Sequence, residues 1–161
     1  MEILDASQYA THDRTIETLC ANIAAKQIKA KTKRRDGSPG GEPISLVCWD
    51  YAQKLRSANL PRNAGIYETG VACSDYLRWW TKDMGLASVI ASQVTINQQG
   101  GATTKGGGAW EEDAGLHVAV RRPTEKEAKD APPGDIRRTA IAEVKKNRFG
   151  GTGAAEWWTL E

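Results

Sequence analysis

The chain has 161 residues, 40% apolar and 26% charged, enough to bury the core of one ordinary domain. A formal net charge of +2 is too small to mark a nucleic-acid binder, so any such role must rest on where the cations sit. Cys20, Cys48 and Cys73 are odd in number and widely spaced with no C-x-x-C, which speaks against a disulfide framework or zinc site and for a reducing, cytoplasmic setting. No apolar run reaches the roughly 18–20 residues that span a bilayer, and no signal-peptide pattern opens the chain, so a soluble intracellular protein is expected.

In chain order, MEILDAS predicts a short strand ending at Asp5. Ile16, Leu19, Cys20 and Ile23 then follow helical spacing, with Thr11 or Asp13 placed to cap the start. KAKTKRRDGSPGGEP is basic and then rich in Gly and Pro, and predicts an exposed loop too short to separate two domains. ISLVCWD is a nearly continuous apolar run closed by Asp50, a pattern that suits a buried parallel strand. ANLPRNAG is a second loop.

Cys73, Tyr76, Leu77, Trp80 and Met84 make one face of a helix that Met84-Gly85 ends. LASVIASQ predicts a second buried strand, whereas VTINQQGGATTKGGG is polar and glycine-rich, too flexible for a regular element. Leu116, Val118 and Val120 alternate in a third strand, and TEKEAKDAPPGD is a charged turn. IRRTAIAEV and EWWTL predict a closing hairpin around VKKNRFGGTG. The order strand–helix–strand–helix–strand followed by antiparallel strands predicts a mixed α/β sheet, and no internal repeat is visible.

In open α/β sheets, ligands bind beyond the carboxyl ends of the strands. Asp50, Gln93, Lys146 and Arg148 all stand at such ends. A carboxylate there can hold a hydrated Mg²⁺ beside a phosphate chain. An amide can report on a terminal phosphate or orient a water, and cations can neutralise charge that develops during phosphoryl transfer. Taken singly, each residue is more simply explained as a loop, cap or solvated side chain.

Together and in this order they resemble DnaB-type replicative helicases. ISLVCWDYAQKL is similar to the Walker B strand of that family, where an apolar run ends in Asp-Tyr-x-Gln. VIASQVT is similar to its next strand, which ends in Ser-Gln with a phosphate-sensing glutamine. GGGAWEEDAGLHVAVRRP resembles its stretch of Gly-Ala, acidic pair, Asp-Ala and an apolar strand ending in Arg. VKKNRFGGTG resembles its Lys-x-Arg-x-Gly-x-x-Gly signature. The four stretches cover roughly positions 44–160, and residues 1–30 fit the strand and helix that precede Walker B, so a single partial domain over 1–161 is expected.

The resemblance implies an α/β fold, a partial RecA-like P-loop NTPase core whose mostly parallel mixed sheet ends in an antiparallel hairpin. It implies ATP with Mg²⁺ as cofactors, Asp50 as metal ligand, and Gln93 as γ-phosphate sensor. Lys146 and Arg148 would reach into a neighbouring subunit's pocket in a hexameric ring, Arg148 as the arginine finger. The loop QQGGATTKGGG lies where the family contacts single-stranded DNA. Lys105 stands there for a usual Arg and Gly108 for a Gly, while Gly106 replaces an acidic residue. Gly115 replaces the second Asp of the family's Asp-Ala-Asp and leaves that position's role open.

One signature is missing. The sequence has no G-x-x-x-x-G-K-[ST], whose amides and lysine cradle phosphates. The family's catalytic Glu, on the strand after the P-loop helix, would also precede this chain. The reading is therefore the C-terminal part of an ATP-dependent helicase motor, inactive as an isolated chain unless a P-loop-bearing partner completes the pocket. Two alternatives stay open: a non-catalytic single-strand-binding or regulatory module derived from a RecA-like ATPase, and another RecA-like ATPase.

Overall fold

The computed structural model describes residues 15–96, 102–104, 108–130 and 139–159. They fall into two compact units that divide between Asp113 and Ala114. The strand expected at MEILDAS lies outside the described residues.

The first unit opens with α1, Ile16–Lys31, which buries Ile16, Cys20, Ile23 and Gln27 at i, i+4, i+7 and i+11. Its N-cap is Thr15, not Thr11 or Asp13, because a cap must stand directly before the first helical residue. Thr15 Oγ1 accepts weakly from Thr18 N–H at 3.4 Å. Glu17 does more to fix this end. Its carboxylate accepts from Ser57 Oγ at 2.6 Å and from Ala58 N–H at 2.9 Å. Gln27 is the polar member of an apolar stripe, and its amide makes a two-way bond with the backbone of Ile44 at 2.9 and 2.7 Å. That exchange satisfies a buried amide as a strand neighbour would.

Beyond α1 the basic segment forms a tight hairpin. Lys33 bridges Pro39, Arg34 N–H donates to Ser38 O at 2.8 Å, and Asp36 accepts from Ser38 N–H and Oγ. β1, Leu46–Trp49, then pairs in parallel with β2, Ala87–Ile90. Between them run a 3₁₀ turn at Ala52–Lys54 and α2, Ile66–Met84. Glu68 accepts from Gly65 N–H at the start of α2. Gly85 ends the helix in the left-handed conformation (φ 63°), as the Met84-Gly85 pair predicts.

Cys73 and Leu77 of α2 join Ile16, Cys20, Ile23, Trp49, Leu55 and Trp110 in one core cluster. Trp80 packs edge-on against Trp49 with ring centroids 6.4 Å apart. Cys48, by contrast, is exposed. The two apolar runs were expected as fully buried strands, and they are not. Leu46 is 51% exposed and Val89 56%, while Trp49 is buried and Val47 and Ile90 pack on the core. Successive strand side chains point to opposite faces, and among the described residues the helices cover one face only.

A second correction concerns VTINQQGGATTK. It is not structureless, because Val94–Ile96 (β3) pairs antiparallel with Ala102–Thr104 (β4). β-branched residues on both sides favour extended backbone even in a glycine-rich setting. A short helix, α3 at Ala109–Asp113, closes the unit with Trp110 buried.

The second unit is an antiparallel sheet in the order β5–β6–β7: Leu116–Arg121, Thr139–Asn147 and Ala155–Thr159. The closing hairpin predicted around VKKNRFGGTG is β6 and β7. The alternation of Leu116, Val118 and Val120 is real, but these are the more exposed residues of β5. Arg121 makes a two-pronged bond to Glu127 at 2.7 and 2.8 Å, within a 3₁₀ turn at Glu127–Asp130. The fold is thus mixed α/β, with its parallel pairing confined to β1 and β2 among the described residues. No described helix is long and apolar enough to cross a membrane.

Candidate functional site

Parallel pairing of β1 with β2 sets Trp49 opposite Ile90, so both strands leave the sheet at the same carboxyl edge. The pairing continues past the strands. Ala91 N–H donates to Trp49 O at 3.0 Å, and Ala52 N–H donates to Ala91 O at 2.8 Å. Asp50 therefore emerges beside the segment that carries Ser92 and Gln93. Asp50 is exposed at a bend, its peptide to Tyr51 is cis, and Gln93 is exposed as well.

Gln53 joins the two segments. Its Nε2 donates to Ser92 Oγ at 2.8 Å and to Gln93 O at 3.3 Å, and its Oε1 accepts from Gln93 N–H at 3.2 Å. One side-chain amide thus brackets the backbone of Gln93. The start of the 3₁₀ turn fixes Gln53, since Ala52 is buried in the core. Spacing alone gives no reason to single out Gln53. The only signal is that it completes Asp-Tyr-Ala-Gln.

In the second unit, Lys146 lies on β6 opposite His117, and a register shift falls between His117 and Val118. His117 pairs with Lys146 and Val118 with Val144, which leaves Lys145 as the extra residue of a β-bulge. Bulges re-aim the side chains beside them. Lys145 is drawn to Glu143 by an ion pair at 2.7 Å. Arg148 stands in the turn that follows, exposed, with its N–H on Gly115 O at 2.9 Å. Asn147 Oδ1 accepts from Phe149 N–H at 2.9 Å, and Gly153 takes φ 83°, which a side chain would strain. Lys146 and Arg148 thus share one braced strand end, and Asp50 and Gln93 share another, each within its own unit.

Of the loop residues, Lys105 and Gly106 lie outside the described residues. Gly108 is exposed, and its carbonyl accepts from Glu112 N–H at 2.8 Å as α3 begins. Asp113, at the end of α3, accepts from Ser74 Oγ at 2.7 Å and pairs with Arg78 at 3.3 Å, so it serves to anchor α3 on α2. Among the described residues no three His, Cys, Asp or Glu cluster as a self-sufficient metal cage. Mg²⁺ does not need one, because it keeps several waters and takes one or two carboxylates plus substrate phosphates. A single exposed carboxylate at Asp50 fits that donor set.

Known structures share this fold. A solved DnaB-like replicative helicase, described with its interactions with primase, is 14% identical with a TM-score of 0.64; the match covers 92% of this chain and 34% of that one. The ATPase domain of G40P is 16% identical with a TM-score of 0.63, and the match covers 92% of this chain and 52% of that domain's chain. No protein-family model and no curated protein matches the sequence. The chain has the RecA-like fold of these helicase structures and spans a third to a half of their length.

Proposed function

We propose that this chain is part of an ATP-dependent replicative DNA helicase motor of the DnaB type, coupling ATP hydrolysis at subunit interfaces to movement on single-stranded DNA. The observation that carries the proposal is the parallel β1–β2 pair. It brings the strand endings that carry Asp50 and Gln93 to one carboxyl edge, the position where open α/β sheets bind ligands. The braced end of β6, with Lys146 on the strand and Arg148 in the turn after it, adds support.

In this reading Asp50 holds hydrated Mg²⁺ and Gln93 faces the terminal phosphate. ATP supplies the phosphoryl group whose transfer to water drives movement. Lys146 and Arg148 place positive charge on a neighbouring subunit's γ-phosphate, where charge develops in the transition state. Lys105, Gly106 and Gly108 form the loop that grips strand phosphates without reading bases. The phosphate cradle comes from a P-loop-bearing segment or subunit, because the sequence carries no Gly-x-x-x-x-Gly-Lys-Ser/Thr.

The test is ATP turnover of an assembly containing such a partner as the fraction of Arg148→Ala chain rises. A finger acting across an interface is worth about 10³–10⁵ in rate, so activity should fall more steeply than dilution predicts. Arg148→Lys should rescue little, since an ammonium cannot reproduce the planar guanidinium fork. A flat response would reduce the motif to a basic turn.

A further inference from the structure

The basic segment that spans the end of α1 and the hairpin beyond it has no part in the proposed nucleotide chemistry, yet it concentrates the charge of the chain. Positions 26–36 carry Lys26, Lys29, Lys31, Lys33, Arg34 and Arg35 against a single carboxylate, Asp36. That segment is +5 and the whole chain +2, so all other residues sum to −3. Lys29, Lys31, Lys33, Arg34 and Arg35 are exposed. Among the described residues, none of these five forms an ion pair.

A helix C-terminus attracts cations through its dipole, and that accounts for Lys29 and Lys31 in the last turn of α1. It does not reach Lys33, Arg34 and Arg35, which lie beyond the helix. Nor are these three on a loose tail. The Lys33–Pro39 bridge and the Arg34–Ser38 bond close a hairpin, and Gly40 packs so tightly on the carbonyls of Lys29 and Thr32 that no side chain would fit there. The lone carboxylate, Asp36, is spent inside the turn on Ser38 N–H and Oγ. The hairpin therefore holds its cations in place and leaves them unneutralised.

We propose that the α1 terminus and its hairpin form a phosphate-backbone contact for nucleic acid, separate from the Lys105 loop. Two adjacent guanidinium groups suit bidentate contacts to phosphate oxygens. The hairpin sequence, TKRRDGSPGG, offers no Leu, Ile, Val, Phe or Trp to insert into a bilayer, which disfavours an anionic membrane as its partner. With no aromatic residue in the hairpin to stack on bases, contact at this site runs through phosphates and is sequence-tolerant.

The experiment is fluorescence anisotropy of the full chain with a labelled mixed-sequence single strand across a salt series. Each phosphate contact on a single strand contributes about 0.7 to the slope of log K against log salt, so Lys33→Ala/Arg34→Ala/Arg35→Ala should flatten the slope by about 2. The same triple variant should weaken low-salt binding by about tenfold or more. Arg34→Lys/Arg35→Lys keeps both charges and should keep the slope. Lys105→Ala should lower affinity additively if the helicase reading holds; no effect there would weaken that reading and leave the hairpin standing. The hairpin proposal is overturned by undetectable binding, by an unchanged slope in the triple variant with an intact circular dichroism melt, or by tighter binding to anionic vesicles than to the strand.

Discussion

The amide of Gln53 is the most specific link between the two strand ends, so its removal is the sharpest perturbation of that edge. Gln53→Met keeps the length of the side chain and deletes its bonds to Ser92 Oγ, Gln93 O and Gln93 N–H. A net hydrogen bond contributes about 0.5–1.5 kcal/mol. The two bonds to Gln93 are long, at 3.2 and 3.3 Å, and exposed, so the low end applies to them. The sum is about 1.5–2.5 kcal/mol of local stability, a factor of about 10–70 in an opening equilibrium. Amide hydrogen exchange on the full chain reads this directly: Gln93 should exchange about that much faster. Leu77, in the core of α2, should change little because the lost bonds are local. Gln53→Glu keeps an oxygen for Gln93 N–H and loses both donors, so it should fall between Met and wild type. Unchanged exchange at Gln93, or equal acceleration at Leu77, would refute the clamp.

Burial pushes the Glu17 carboxyl up, but hydrogen bonds from Ser57 and Ala58 outweigh it and the net direction is down. Its stabilising contribution is therefore present above the ordinary glutamate range and fades as pH falls through the lowered folded value; the difference in melting temperature between wild type and Glu17→Gln should shrink toward acid. Leu77→Ala, at a site 2% exposed, should lower urea-unfolding stability by about 2–5 kcal/mol. The chain without a partner should hydrolyse ATP no faster than buffer, since the cradle makes most phosphate contacts; turnover abolished by Asp50→Ala would show a nucleotide site of another design.

Much of the edge was legible because it is written in strand endings. An apolar run that stops at an acid, and a second that stops at Ser-Gln, predict two strands that leave a sheet together, and β1 and β2 do so. Their exposure was not legible. Leu46 and Cys48 look as apolar in the sequence as Val47 and Trp49, and only the packing of helices on one face separates them. Gln27 and Gln53 were hidden for a related reason. Each acts through its amide on backbone that is distant in the chain, at Ile44 and Gln93, and residue type carries no record of such partners. β3 and β4 were missed because glycine content outweighed the β-branched residues on either side.

The three cysteines supply a built-in clock for opening of the first unit. Burial, reinforced by the nearby Glu17 charge, pushes the Cys20 thiol up to about 12, and burial likewise pushes Cys73 up to about 12. Only thiolate alkylates at a useful rate, so both are inert while α1 and α2 remain packed. Cys48, on the open face of β1, is accessible from the start. An alkylating pulse followed by mass measurement should therefore show one prompt adduct and two delayed ones. The delay reports opening of the α1–α2 core, and no residue has to be changed to read it.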